Sequence, residues 1–238
     1  MDPKPSPEPL FDEYGETYDD AMKKSIGFMG QNHDYYTVAK VDRILDVLQR
    51  RLGDPRNQRV LDVGCGVGKT DRLLAPHLGA LTGVDVSSAS VARARRENPA
   101  VRYESYDGRT LPFPNDSFDA AFLICVLHHV LPQDRVALLT EVKRVLRPGG
   151  FLLVFEHNPF NPLTQLAVAR CAFDRDAQLL TRRLSSRLLG EAGLSVGEKR
   201  YMLFSPFKFK GSDWIEQQAQ QIPLGAQYYV AGQKPTPP

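Results

Sequence analysis

The sequence predicts an α/β fold: a doubly wound, mostly parallel sheet of seven strands, with an antiparallel terminal strand and an N-terminal helical cap. Three observations predict it. Short apolar runs alternate with segments of helical periodicity, the pattern of a parallel sheet covered by helices on both faces. One run, Ala120–Val126, is apolar throughout, as a strand buried on both faces must be. The first run opens into a glycine-rich turn, and acids stand in or just after the first three.

Residues 1–10 carry proline at positions 3, 5, 7 and 9 and are expected to be a disordered tail. Residues 11–52 are the cap or lid. Its aromatic residues, Phe11, Tyr14, Tyr18, Tyr35 and Tyr36 among them, are mixed with Gly15, Gly27 and Gly30. From Tyr36 the pattern is helical, with Val41, Ile44, Leu45, Leu48 and Leu52 on one face and Gly53 as the stop. Residues 53–233 form the main domain. Its first strand is Val60–Val63, followed by the glycine turn and a helix over Lys69–Leu78. Leu81–Val86, Val101–Tyr106, Ala120–Val126 and Phe151–Phe155 are the next strands. The helix Ser88–Asn98 starts on serine and stops before Pro99, and Asp134–Leu146 stops before Pro148-Gly149-Gly150. Leu163–Ala192 reads as one long helical stretch ended by Gly193. Leu194–Phe204 and Gln227–Gly232 have no full helix between them and read as an antiparallel hairpin at the sheet edge. Residues 208–223 are an inserted, lid-like segment, and residues 234–238 a second disordered tail.

The composition excludes several classes. Of 238 residues, 42% are hydrophobic and 24% charged, the balance of an ordinary globular chain. Thirty basic against 28 acidic residues leave a net charge of +2, too little for a nucleic-acid footprint or a polybasic membrane patch. The longest apolar run, Ala120 to Leu127, is far short of the ~20 residues that cross a bilayer. The proline-rich N-terminus lacks the apolar core of a signal peptide. The three cysteines, Cys65, Cys125 and Cys171, form no CxxC pair, so the expected compartment is the cytoplasm.

The turn Val60-Leu-Asp-Val-Gly64-Cys-Gly66-Val-Gly68-Lys-Thr70 separates three ligand classes by spacing. A P-loop, G-x-x-x-x-G-K-[ST], needs glycine where Val63 stands. A dinucleotide loop, G-x-G-x-x-G, needs glycine where Lys69 stands. What remains is D-x-G-x-G-x-G from Asp62 to Gly68. Its acid repels a pyrophosphate but suits a ligand with an ammonium group, which points to S-adenosylmethionine. Asp85 ends the second strand about 20 residues on, where an acid accepts both ribose hydroxyls. Asp107-Gly108 follows the third strand, where a carboxylate can accept from an adenine amino group. Three acids at successive strand ends converge on one crevice.

Here the chain resembles the class I S-adenosylmethionine-dependent methyltransferases, in the ubiquinone/menaquinone-type group with its Rossmann-like sheet. The resemblance rests on Val60–Gly68, Gly83–Ser87, Leu111–Asp119, Leu127-His-His129 and Leu146–Gly150, together with Phe11–Asp19 at the entry. It implies that Gly64, Cys65 and Gly66 line the methionine part through their backbone, and that Asp62 helps to hold its amino group. Asp85 would bind the ribose, with Val86 against the adenine face and Asp107 and Gly108 at the adenine edge. Cys125 would offer its carbonyl to the ammonium group, and Tyr18 would close over the cofactor from the lid.

Methyl transfer mainly requires alignment of donor and acceptor. A hydroxyl or ammonium acceptor must also lose a proton, for which histidine is the usual base. His129 and His157, after the fourth and fifth strands, are the candidate catalytic residues. Neighbouring side chains at a helix start point apart, so only one of His128 and His129 is expected to face the pocket. No carboxylate–histidine cluster suggests a metal site. The expected function is methylation of a small-molecule acceptor, on oxygen first, nitrogen second and carbon third. A natural-product, sugar or lipid-linked intermediate would serve. The alternatives are a nucleic-acid or protein methyltransferase, or a protein that binds S-adenosylmethionine without transfer. A monomer or homodimer is expected, with no nucleic-acid partner and no membrane span.

Overall fold

The computed structural model describes residues 33–174, 176–205 and 211–237. In chain order it contains α1 (His33–Leu52), β1 (Arg59–Val63), α2 (Lys69–Leu74), β2 (Ala80–Asp85), α3 (Ser88–Glu97), β3 (Arg102–Ser105) and β4 (Phe118–Ile124). Then follow α4 (Arg135–Val145), β5 (Leu146–His157), α5 (Pro162–Arg170), α6 (Arg182–Glu191), β6 (Ser195–Met202), α7 (Ser212–Gln218) and β7 (Gln227–Gln233). The strands form a seven-stranded sheet in the order β3-β2-β1-β4-β5-β7-β6. Strands β1 to β5 pair in parallel, and β7 runs antiparallel to both β5 and β6.

Alternation along each strand divides the core in two. Leu61, Ala121, Leu123, Leu152 and Val154 face α4 and α6 through Leu138, Leu139, Val142, Leu188 and Leu189. Val60, Ala120, Phe122, Leu153 and Phe155 face α1, α2 and α3 through Val41, Ile44, Leu48, Leu74, Val91 and Ala94. The predicted doubly wound α/β class is therefore the observed one. Ser87 caps α3 by accepting from the Ser90 N–H at 3.1 Å, as its position in the sequence suggests.

Four local differences from the sequence reading have physical causes. The predicted 163–192 helix is broken: α5 ends at Arg170, a 3-10 turn covers Ala172–Asp174, and Thr181 caps α6 by accepting from Leu184 N–H. Tertiary bonds hold the break open, from Gln178 N–H to His128 O at 2.9 Å and from the Tyr228 hydroxyl to Leu180 O at 2.8 Å. The last two strands do pair antiparallel, but β7 inserts between β5 and β6. It is apolar on both faces and buried over six residues, whereas β6 is largely exposed and takes the edge. Strand β4 stops at Ile124 because Cys125 has φ +57°, a left-handed conformation that ends the ladder. Lys234, read as part of the C-terminal tail, extends the sheet instead: its N–H donates to Gly150 O at 2.8 Å and its Nζ to Leu146 O at 2.7 Å.

Candidate active site

The strand order reverses its direction of growth at β1, so the crevice beyond the carboxyl ends of β1 and β4 is where a ligand fits an open α/β sheet. The chain leaves β1 through Gly64, with φ +81°. A Cβ there would stand 2.5 Å from Val126 Cγ2, so the turn can approach β4 only as glycine. The N–H groups of Gly64 and Cys65 both donate to Val84 O, at 2.7 and 3.0 Å, which fastens the turn to β2. Gly66, at φ +52°, is the contrast: nothing lies within 4 Å of where its Cβ would be. Its backbone therefore borders open space, the cradle that a closely approached ligand needs.

Asp85 organises this cradle. It is buried, and its Oδ2 accepts the Gly66 N–H at 2.8 Å while Oδ1 accepts the Ser87 N–H at 2.9 Å. Asp62 and Asp71 lie buried beneath the turn, and Oδ1 of Asp62 accepts no hydrogen bond. Burial, reinforced by the neighbouring carboxyls, pushes Asp62 well above the ordinary carboxylate range, and burial lifts Asp71 to about 6. Two neighbouring buried acids fit a ligand that brings a cation. Val86 is half-buried, and a Cβ on Gly108 would meet Val86 Cγ1 at 3.3 Å, so the loops after β2 and β3 border one slot. Asp107 is exposed at that slot, and its Oδ1 accepts the Arg109 and Thr110 N–H groups at 2.9 and 2.8 Å. Cys65 is buried, and burial raises its thiol well above the ordinary value. Cys125 donates its N–H to Phe155 O at 2.8 Å, and burial raises its thiol to about 11, so it is no thiolate at neutral pH. Tyr18 lies outside the described residues.

Histidines gather at the ends of β4 and β5. His128 and His129 belong to a turn over 127–130, not to a helix start. Their rings therefore do not diverge as expected: the centroids lie 4.1 Å apart, and both Nε2 atoms face one oxygen of Asp174, at 3.6 Å for His128 and 3.2 Å for His129. On its other side, His128 Nδ1 is 2.6 Å from Glu156 Oε2, and Glu156 Oε1 accepts the Leu127 N–H at 2.8 Å. Arg135 fixes the turn from α4 by donating to Leu127 O and Val130 O, each at 3.0 Å. His157 lies 5.4 Å from the His128 ring and contacts Gln227 Nε2 through Nδ1 at 3.3 Å. Burial, then the charge on His128, lowers His157 to about 4. Burial also lowers His129, although Asp174 opposes it.

The sequence reading expected no carboxylate–histidine cluster, whereas His128, His129 and Asp174 form one. It also passed over Glu156, Asp71 and Asp174. Glu156 ends β5 at the ligand edge, and that position could have flagged it. Asp174 carries no signal of its own, because the predicted helix runs through it; the local sign of a break in that stretch is Thr181, which caps α6.

A methyltransferase-domain family matches residues 61–154. The chain is 32% identical over 211 residues to an O-methyltransferase, cnsE, of Penicillium expansum, covering 82% of this chain and 76% of that one. Among solved structures, it resembles an S-adenosylmethionine-dependent methyltransferase of Thermotoga maritima, with a TM-score of 0.69 at 18% identity over 96% of this chain and all of that one. It also resembles phosphoethanolamine N-methyltransferase 2 of Haemonchus contortus in complex with S-adenosyl-L-methionine. That TM-score is 0.67, at 20% identity over 98% of this chain and 61% of that one. With this relationship, the glycine cradle and the acids at its strand ends, the chain belongs to the class I S-adenosylmethionine-dependent methyltransferases and takes S-adenosylmethionine as its cofactor.

Proposed function

We propose that this methyltransferase O-methylates a small hydroxylated molecule, with a natural-product, sugar or lipid-linked intermediate as the acceptor class. The observation that carries it is the pairing of His129 with Asp174 at the ligand edge, because a hydroxyl acceptor must be deprotonated there. The Penicillium relative, named as an O-methyltransferase, supports oxygen over nitrogen and carbon.

When bound, S-adenosylmethionine would supply an electrophilic methyl carbon with its thioether as the leaving group, and His129 would take the hydroxyl proton of the acceptor. The chain's own residues bind and orient. Backbone of Gly64, Cys65 and Gly66 lines the methionine part, Asp62 answers the ammonium group, and the Cys125 carbonyl assists. Asp85, held by its bonds to the Gly66 and Ser87 N–H groups, accepts from the ribose. Val86 covers the adenine face, with Asp107 and Gly108 at its edge, and Tyr18 belongs to the cap that excludes water. His157 is the secondary candidate base, since a group lowered to about 4 is neutral at pH 7 but weakly basic.

The same reading takes 1–10 as a tail, 11–52 as the cap and 53–233 as the methyltransferase domain with 208–223 inserted, and Lys234 continues the sheet past that bound. Among the described residues, no helix is long and apolar enough to cross a membrane. Three free cysteines support a cytoplasmic location, and a monomer or homodimer is the proposed assembly. The test is incubation with S-adenosylmethionine and a panel of phenols, enols, sugars and amines, read by mass spectrometry. Methylated oxygen is the expected product; turnover confined to amines would refute the assignment.

A further inference from the structure

Glu156, His128, Asp174 and His129 line up from the core to the ligand edge; Glu156 hydrogen-bonds His128, whereas the His128–Asp174 approach is an ion-pair contact without a hydrogen bond to Nε2. Glu156 is wholly buried, His128 is 2% exposed, Asp174 7%, and His129 is half-buried at the outer end. The links measure 2.6 Å from Glu156 Oε2 to His128 Nδ1, 3.6 Å from His128 Nε2 to Asp174 Oδ1, and 3.2 Å from Asp174 Oδ1 to His129 Nε2. We propose that His128 and Asp174 are positioning residues for proton removal: His128, clamped between Glu156 and Asp174, fixes that second carboxylate, which in turn holds His129 with its proton on Nε2 and Nδ1 as the accepting atom. This rests on the reading of His129 as the base.

The chemistry follows from what each nitrogen faces. His128 Nδ1 meets the Glu156 carboxylate at 2.6 Å, and the Asp174 carboxylate at ion-pair distance from Nε2, though without a hydrogen bond to it, favours the positive ring by its charge. His128 is therefore an imidazolium. Burial alone would lower it, but Glu156 and Asp174 hold it well above the ordinary histidine value. Burial would raise both carboxyls, yet the His128 charge holds Glu156 below its ordinary range, and His128 and His129 hold Asp174 well below. A cation whose ring centre is 4.1 Å away disfavours a second one, which keeps His129 neutral. Two adjacent histidines are thus split into one fixed cation and one neutral base by their surroundings.

The other groups around the pair leave this division intact. His157 at the end of β5 is lowered to about 4 and adds no charge at neutral pH. Cys125 at the end of β4 is raised to about 11 and stays a thiol. Arg135 is committed to carbonyls of the 127–130 turn. Lys40, buried on α1, is lowered by burial, and its coupling within the group is to Cys125 and Glu156. Proton transfer then balances: the acceptor proton enters at His129 Nδ1, while the proton on Nε2 stays bonded to Asp174, which stabilises the imidazolium as it forms.

Imidazole 15N NMR of the whole protein tests this without knowing the acceptor. Both His128 nitrogens are expected to stay protonated through pH 8, and His129 is expected to be a single tautomer carrying its proton on Nε2. Asp174→Asn should mix the His129 tautomers and move its titration to lower pH, and Asp174→Glu should restore most of the single-tautomer signal. On any accepted hydroxyl compound, Asp174→Asn should lower kcat at least tenfold with KM within about twofold. A neutral His128 at pH 7, or a His129 tautomer unchanged in Asp174→Asn, overturns the proposal. So does stoichiometric binding of Co2+ or Zn2+ by the wild type that Asp174→Asn abolishes, because the three donors would then be a metal site. Full kcat in His129→Ala would instead refute the base assignment itself.

Discussion

Asp85→Ala tests the cofactor site most directly. In the fold, the Asp85 carboxylate accepts the Gly66 N–H at 2.8 Å and the Ser87 N–H at 2.9 Å. Ser87 is fully buried, so water cannot replace the second bond, whereas Gly66 is half-exposed and can be hydrated. One unreplaced bond to a charged group is worth about 1.5–3 kcal/mol. For a chain of this size, each kcal/mol shifts Tm by about 2–4 °C, so Asp85→Ala should lose roughly 3–12 °C. On the proposed role of Asp85 as ribose acceptor, the bound state loses more, because that acceptor goes together with the tether of the Gly66 turn. Even one lost charge-assisted bond exceeds the about 1.4 kcal/mol that corresponds to a tenfold change in Kd. Isothermal titration with S-adenosylmethionine, beside differential scanning fluorimetry, should show both effects. Lys69→Ala, at the start of α2, should leave affinity within a few-fold. Loss of binding in Lys69→Ala, with ATP binding to the wild type and unchanged affinity in Asp85→Ala, would refute the reasoning and revive a phosphate loop.

Gly64→Ala forces a side chain into φ +81° and against Val126 Cγ2; it should cost about 1–2 kcal/mol from the backbone alone and weaken cofactor binding, with Val126→Ala recovering part of the Tm. Asp71 is raised to about 6 by burial, so the fold favours its protonated form: stability is fully present below pH ~4 and is lost as pH rises through 6. Chemical denaturation of the apoprotein should show that loss, and Asp71→Asn should flatten it; an unchanged slope would mean that Asp71 is ionised in the fold. His129→Ala should lower kcat on a hydroxyl acceptor at least 100-fold with S-adenosylmethionine affinity within a few-fold, and His157→Ala should lower it less, as steady-state kinetics with parallel titration would report.

The sheet and the identity of the cofactor were legible along the chain. Those features are local: strand apolarity repeats every second residue, the glycine turn needs particular residues at fixed spacing, and an acid at a parallel strand's end faces the crevice wherever the strands align. Asp62, Gly64, Gly66 and Asp85 could therefore be placed at the strand ends by counting along the chain. The grouping of the histidines with Asp174 comes from the tertiary structure. Whether His128 and His129 diverge depends on the 127–130 segment being a turn, which Arg135 enforces from α4. That 163–192 is not one helix follows from the Thr181 cap together with bonds to His128 O and from the Tyr228 hydroxyl, which the apolar periodicity of the stretch does not express. Asp174 reaches the histidines because of that break. Strand β7 inserted between β5 and β6 for a similar reason: its two apolar faces are buried only when it has a neighbour on each side, a condition that pairing order meets and local pattern does not express.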